Sequence, residues 1–149
     1  MRDGNTGISA SAFTPFSSSL SKLGVSVILF ARNENSLSDV LSRLDRSNNQ
    51  DHSYLIADFD NPIELKNKIE DYTNNNPSID ILINNSGGPK PGPIIEAEID
   101  DFINAFNRHL ICNHILVQAL VPNMKKNNFG RIINITSTSV KEPIKGLGI

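Results

Sequence analysis

A short apolar run at Val25–Phe30, directly after Gly24, constrains the fold more than any other feature of the chain. The run is too short for a buried helix, and it lacks the polar alternation of a half-exposed strand. Apolar strands of this kind are typical of parallel sheets, in which helices cover both faces. The run therefore favours an α/β fold.

Strand patterns alternate with helix patterns along the rest of the chain. Further strands are predicted at Tyr54–Ala57, Ile79–Ile83 and Arg131–Thr136. Asn33 and Asn61 are typical N-cap residues, and each stands before a segment with apolar residues at helical spacing. This alternation predicts a doubly wound parallel α/β sheet with right-handed crossovers.

A long helix is predicted from Ile99 to Lys126, with Pro122 as the expected position of a kink. Its predicted apolar stripe comprises Phe102, Ile103, Phe106, Leu110, Val117 and Val121. The preceding segment, 84–93, is rich in glycine and proline and is predicted to be a functional loop.

Composition narrows the class of protein. The chain has 149 residues, 38% of them hydrophobic and 20% charged, which predicts one globular domain over residues 1–149. A net charge of −2 without a basic run argues against a nucleic-acid partner. No apolar stretch suits a membrane helix, so we expect a cytoplasmic protein.

Neither His52 nor His114 has metal-ligating neighbours in the sequence, and Cys112 is the only cysteine, so no metal site is predicted.

Ligands of open α/β sheets bind at the carboxyl ends of the strands. The residues that follow the predicted strands are Arg32, Asp58, 84–88 and 136–139. We therefore expect the functional side chains among these four groups.

Several motifs resemble the short-chain dehydrogenase/reductase family, and within it the 3-oxoacyl-acyl-carrier-protein reductase branch. The resemblance is carried, in the family's order, by 27–33, 57–58, 80–87 and 130–137. It implies an NAD(P)-dependent oxidoreductase that acts on a small-molecule carbonyl or alcohol, with 3-oxoacyl thioesters among the candidate substrates. It also implies a homo-oligomer, and a partial Rossmann-type, doubly wound parallel sheet over residues 1–149 that is incomplete at both ends.

The segment Asp80–Gly87 is the most specific of these motifs. The resemblance assigns Asn84, Asn85, Ser86 and Gly87 to the cofactor site, with Ser86 where the family usually has alanine. A glycine at position 87 lets the backbone approach a ribose without interference from a Cβ atom. The alternative interpretation is an ordinary turn.

Two further residues are predicted to bind the adenosine end of the cofactor. Arg32 suits a 2′-phosphate and favours NADP, with NAD as the alternative cofactor. Asp58 resembles the family's aspartate beside the adenine ring. The alternatives are a solvated arginine at position 32 and an aspartate that only caps the turn toward Asn61.

Ser137 aligns with the family's catalytic serine, whose hydroxyl bonds the substrate carbonyl. If the register is different, Thr138 or Ser139 takes this role; the alternative interpretation of 136–139 is a hydroxyl-rich turn. His109 falls where the family has an asparagine that supports the proton relay, with Asn113 one turn later; the alternative role for His109 is packing.

The N-terminal segment 1–17 departs from the family pattern. Thr6 and Gly7 match the start of the glycine-rich phosphate motif and are assigned to the cofactor site, but Ser11 and Phe13 replace its later glycines. Residues 1–5 also lack the character of a buried strand. The first strand is therefore predicted to be absent, as a result of divergence or of a reading-frame error.

The family's Tyr-x-x-x-Lys motif is expected beyond Ile149, so the chain is interpreted as incomplete. Without that motif its proton relay cannot form. Two alternatives stay open: a non-catalytic remnant that at most binds nucleotide weakly, and a flavodoxin-like module, which lacks its expected acidic cluster.

Overall fold

The computed structural model describes residues 6–9, 14–76 and 79–148, which form one parallel sheet with helices on both faces. The strands are β1 (Thr6–Ser9), β2 (Ser26–Ala31), β3 (Ser53–Ile56), β4 (Ile81–Asn84) and β5 (Arg131–Asn134). Their order is β3-β2-β1-β4-β5, and every neighbouring pair is parallel. The predicted Rossmann-type α/β architecture is confirmed.

Five α-helices connect these strands. They are α1 (Thr14–Lys22), α2 (Glu34–Ser42), α3 (Pro62–Asn75), α4 (Ile99–Phe106) and α5 (Cys112–Lys126). Both predicted caps are present: the Asn33 side chain accepts a hydrogen bond from the Ser36 backbone at 2.9 Å, and Asn61 accepts one from Glu64 at 3.2 Å. These bonds satisfy backbone donors that the first helical turn leaves unpaired.

Strand β2 contributes to the cores on both faces of the sheet, as its apolar sequence predicts. Val27 and Leu29 pack with α2 on one face, whereas Ile28 and Phe30 pack with α3 and α5 on the other. All four side chains are at most 1% exposed. Burial of each contributes roughly 1.5–3 kcal/mol, so β2 anchors both layers.

The prediction that the first strand is absent is wrong. Strand β1 (Thr6–Ser9) lies at the centre of the sheet and pairs with β2 on one side and β4 on the other. Backbone ladders on both sides hold this segment, although its sequence has no apolar run. The predictions about Ser11 and Phe13, and about the character of residues 1–5, fall outside the described residues.

The single long helix of the prediction is divided in two. A π-helical turn at Asn107–Ile111 separates α4 from α5, whereas Pro122 lies inside α5, which runs on to Lys126. Over α4 the residues of the predicted stripe are not buried: Phe102, Ile103 and Phe106 are 46%, 50% and 56% exposed. The wider π turn changes the face that the following helix presents to the core. The residues of α5 that are buried are Cys112, Leu116, Leu120 and Met124.

Candidate functional site

A cleft of about 940 Å³ opens at the carboxyl edge of the sheet, beside the ends of β4 and β5. Its polar lining includes Asn84, Asn85, Ser86, His109, Asn113 and Ser137. Its apolar lining includes Pro89, Leu110, Val117, Ile135, Val140 and Leu147. The structure thus brings five of the predicted site residues into one cavity, where polar groups face an apolar wall.

Asn84 joins the ends of the two strands beneath the cleft. Its side chain is 1% exposed, and its Nδ2 donates to the Asn134 Oδ1 at 2.8 Å. The Ile135 backbone N–H donates to the Asn84 carbonyl at 2.9 Å, which extends the β4–β5 ladder. The Asn84 Oδ1 is buried and has no partner. An unpaired buried acceptor of this kind costs about 1–3 kcal/mol.

Ser86 and His109 form a direct contact at the cleft. The Ser86 hydroxyl oxygen lies 2.8 Å from the His109 Nδ1. Burial and the neighbouring positive charge of Arg108 lower the pKa of His109, although part of the ring is exposed. The lowered pKa favours the neutral ring, whose Nδ1 can accept the Ser86 proton while Nε2 carries its own hydrogen.

Asn113, one turn beyond His109, is also held at the cleft. Its Nδ2 donates to the His109 carbonyl at 2.7 Å, and its Oδ1 is buried without a partner. The His109 carbonyl is thereby tied to α5, directly after the π turn. The unpaired Oδ1 is a second acceptor that a bound ligand or water could satisfy.

Ser137 stands at the start of a short 3₁₀ helix, Thr138–Val140, directly beyond β5. Its hydroxyl oxygen accepts from the Ser139 backbone N–H at 3.1 Å and from the Ser139 hydroxyl at 2.7 Å. A hydroxyl has two acceptor positions and one proton. Both acceptor positions are used, so the Ser137 proton remains available to an oxygen in the cleft.

A second cavity, of about 210 Å³, lies at the carboxyl ends of β2 and β3. Its lining includes Arg32, Asp58, Phe59, Asp60, Ser86, Gly87, Gly88 and Arg108. Ser86 and Gly88 line both cavities, so the two meet at the loop after β4. A Cβ atom added at Gly87 would meet no heavy atom within 4 Å. The backbone there faces open space, as a ribose site requires.

The charged groups of the second cavity form a connected set. Arg108 makes a two-pronged ion pair with Asp60, and Arg32 approaches the same carboxylate at 3.4 Å. The Arg108 guanidinium holds the pKa of Asp60 below its usual range, even though burial raises it. Asp58 accepts the Asp60 backbone N–H at 2.9 Å, so its carboxylate does cap this turn. One side of the cavity therefore carries two cations and two carboxylates.

Thr6 and Gly7 do not occupy the predicted position. Both lie within β1, where Thr6 is in register with Ser26 and Gly7 with Val27 and Ile81. A phosphate-binding turn needs backbone N–H groups beyond the strand end, and these two residues precede that end. The segment that follows β1 falls outside the described residues.

A pair of backbone hydrogen bonds closes the apolar side of the cleft. The Gly92 N–H donates to the Gly146 carbonyl at 2.7 Å, and the Gly148 N–H donates to the Gly92 carbonyl at 3.2 Å. Leu147, between the two partners of Gly92, lines the cleft. A Cβ atom at Gly148 would lie 2.5 Å from the Ile94 nitrogen. Residues 92 and 146–148 are called the glycine clasp below.

Neither composition nor motif spacing singles out Asp60, Arg108 or the glycine clasp. Asp60 lies two positions beyond Asp58, and Arg108 directly precedes His109. This closeness to predicted site residues is the sequence signal that could have identified them. Over the described ranges, His, Cys, Asp and Glu side chains do not gather into a metal-binding group. Cys112 is buried, donates to the Phe59 carbonyl at 3.3 Å, and has a pKa raised to about 11 by burial.

The sequence pattern of the short chain dehydrogenase family matches residues 6–149, and this chain belongs to that family. Mouse dehydrogenase/reductase SDR family member 7 is 28% identical over 139 residues, which are 89% of this chain and 40% of that protein. A 3-oxoacyl-[acyl-carrier-protein] reductase of Rickettsia bellii is 30% identical over 132 residues, which are 89% of this chain and 52% of that protein. The chain thus spans about half the length of these relatives.

Solved structures support the fold. A metagenomic short-chain oxidoreductase in complex with NADP superimposes with a TM-score of 0.84 at 22% identity, over 98% of this chain and 68% of that one. Actinorhodin polyketide ketoreductase with NADPH gives a TM-score of 0.82 at 21% identity, over 98% of this chain and 58% of that one. Among the described residues, no helix combines the length and apolar character needed to cross a bilayer.

Proposed function

We propose that this chain forms the cofactor-binding part of an NADP-preferring oxidoreductase that transfers a hydride between the nicotinamide and a carbonyl or alcohol carbon. One observation carries the proposal: Ser86 and Gly88 line both cavities, so a single dinucleotide can reach from Arg32 to the cleft that contains Ser137. Family membership and the NADP complexes of similar folds support the same cofactor.

The residues at the carboxyl edge fit such a cofactor. Arg32 is 70% exposed and can turn toward a 2′-phosphate, and Gly87 leaves room beside the ribose. Asp58 uses one oxygen to cap its turn, and its carboxylate would accept the adenine amino group. When bound, the nicotinamide would donate or accept the hydride.

The groups in the cleft divide into binding and orienting roles. Ser137 would donate its free proton to the substrate oxygen, where negative charge develops as the hydride arrives. The Ser86–His109 pair would keep the imidazole oriented, and its Nε2–H would bond a water or the substrate. The buried acceptors of Asn84 and Asn113 suit the amide of a nicotinamide or an ordered water.

The apolar wall favours a substrate with a hydrocarbon chain. Leu110, Val117 and Ile135 line the cleft on one side, and Val140 and Leu147 follow the candidate catalytic serine. An acyl chain would remove this apolar surface from water, at about 25 cal/mol per Å². Together with the similarity to a 3-oxoacyl-[acyl-carrier-protein] reductase, this supports short 3-oxoacyl thioesters as the substrate class.

The proton donor would come from another part of the protein. Tyr54 and Tyr72 are the chain's two tyrosines, and neither lines the cleft. Tyr54 donates to the Glu34 carboxylate at 2.9 Å instead. By resemblance, a tyrosine and a lysine beyond Ile149 would protonate the substrate oxygen. A homo-oligomer is proposed on the same ground.

The test uses the protein that contains this chain together with the segment found in its longer relatives. We expect NADPH oxidation with a short 3-oxoacyl thioester, and a loss of at least about a hundredfold in kcat for Ser137→Ala, since one oxyanion donor contributes that much. Thr138→Ala is the matched control and should retain most of the activity, because Thr138 does not line the cleft. Equal activity of wild type and Ser137→Ala would contradict the assignment of Ser137.

A non-catalytic nucleotide-binding remnant is the competing function. The placement of Thr6 and Gly7 inside β1 favours it, because those residues do not offer the expected phosphate turn. NADPH binding without turnover of any ketone or 3-oxoacyl thioester, in the extended protein, would support this alternative.

A further inference from the structure

The ion pair between Arg108 and Asp60 crosses the second cavity from the π turn to the loop after β3. The Arg108 Nη2 lies 2.7 Å from one oxygen of Asp60, and its Nε bonds the other oxygen. Both side chains are partly buried, at 25% and 28% exposure. A two-pronged guanidinium–carboxylate pair is strong and fixed in orientation.

The Arg32 contact to the same carboxylate is of a different kind. Its Nη1 lies 3.4 Å from the Asp60 Oδ2, and its side chain is 70% exposed. An exposed pair at this distance contributes little, because water screens the two charges. Arg32 can therefore leave Asp60 at small cost, whereas Arg108 is held.

The charges near Arg32 determine whether a negatively charged phosphate can bind there. The cavity is lined by the cations Arg32 and Arg108 and by the carboxylates of Asp58 and Asp60. With Arg108 in place, the Asp60 charge is neutralised by a partner other than Arg32. Without Arg108, the Asp60 carboxylate would repel a phosphate, and it would also hold Arg32 as its remaining cationic partner.

We propose that Arg108 is a specificity-determining residue for NADP over NAD, because it neutralises Asp60 and so frees Arg32 for the 2′-phosphate. This inference rests on the proposed cofactor site. Arg108 acts through Asp60 and Arg32 and need not touch the cofactor. The π turn is what places Arg108 over the cavity, one position before His109.

The experiment measures the dissociation constants of NADPH and NADH by nicotinamide fluorescence with the chain and its variants. Arg108→Gln should weaken NADPH binding by about tenfold and change NADH binding by less than about threefold, since only NADPH carries the 2′-phosphate. Adding Asp60→Asn to Arg108→Gln should return NADPH affinity to within about threefold of wild type. A purely structural role for Arg108 would not show this rescue.

Arg43→Gln is the matched control, because it removes an arginine from the exposed Asp39–Arg43 pair at the C-terminal end of α2. It should leave both affinities unchanged. If Arg108→Gln does not fold, Asp60→Asn alone decides: NADPH binding should be as tight as in wild type or tighter.

Several outcomes would overturn the proposal. They are equal weakening of NADPH and NADH by Arg108→Gln, failure of Asp60→Asn to restore NADPH binding, and weaker NADPH binding by Asp60→Asn alone. Equal affinity of the wild type for both cofactors would also overturn it and would leave the proposed oxidoreductase standing. If the chain bound neither cofactor, both the role of Arg108 and the proposed cofactor site would be contradicted.

Discussion

The Ser86 hydroxyl oxygen and the His109 Nδ1 lie 2.8 Å apart and connect the loop after β4 to the π turn between α4 and α5. At both positions the residue differs from the one that the family pattern leads us to expect. A methyl group at position 86 would leave the imidazole nitrogen without this donor. The serine thus provides the partner that the histidine requires.

The folded state should lose stability with acid because of His109. Its pKa is lowered by burial and by Arg108, so below the unfolded value of about 6.5 the unfolded chain binds more protons. We expect the free energy of unfolding in urea to fall between about pH 7 and pH 5. His109→Asn should make this decline shallower, and an identical decline in both proteins would contradict the argument.

His52 should matter for stability rather than for chemistry. It is 5% exposed, its Nδ1 accepts the Val27 N–H at 3.0 Å, and its Nε2 lies 2.7 Å from the Asp45 carbonyl. The imidazole thereby bonds the backbone of β2 at the position just before β3 begins. His52→Ala leaves two backbone groups unpaired and should cost about 1–3 kcal/mol in chemical denaturation. His114→Ala, at an exposed position, is the control and should cost less than about 0.5 kcal/mol.

The glycine clasp should open when Gly148 gains a side chain. Because a Cβ at Gly148 would lie 2.5 Å from the Ile94 nitrogen, Gly148→Ala must displace the segment. We expect hydrogen exchange at the Gly92 amide to accelerate by at least about tenfold. Gly92→Ala is the matched control, since nothing lies within 4 Å of its added Cβ. Unchanged exchange in Gly148→Ala would show that the clasp is not held as described.

The exposed apolar face of α4 should mediate self-association. Phe102, Ile103 and Phe106 stand on this helix, each about half exposed, and the family resemblance implies pairing of such helices. Phe106→Glu would place a charge in that interface, at a cost of several kcal/mol. Light scattering should show an oligomer for the wild type and a smaller species for the variant. A monomeric wild type would refute the oligomer.

The strands whose side-chain pattern determines their place in the sheet could be predicted from the sequence. A strand that is held mainly by backbone pairing with its neighbours could not. The apolar run of β2 indicated burial on both faces, and the structure confirms it. Strand β1 was missed because neighbouring ladders on both sides, rather than its own sequence, fix it. The division of the long helix was not predictable, because the π turn between α4 and α5 leaves no compositional trace.

The candidate site shows the same division. Residues directly after strands were found because a parallel sheet brings strand ends to one edge. Arg108 and Asp60 are 48 positions apart in the chain, and isolated charges at such a separation carry no pattern. The Ser86–His109 contact was likewise not predictable, because the two residues are 23 positions apart and lie on separate elements.

The central claim is that one dinucleotide spans both cavities through Ser86 and Gly88, and amide NMR of the labelled chain tests it most directly. NADPH should shift resonances both around Arg32 and Asp58 and around Asn84 and Ser137. Adenosine 2′,5′-bisphosphate, which lacks the nicotinamide, should shift the first group alone. If NADPH perturbed only the Arg32 side, or neither side, the account would be contradicted.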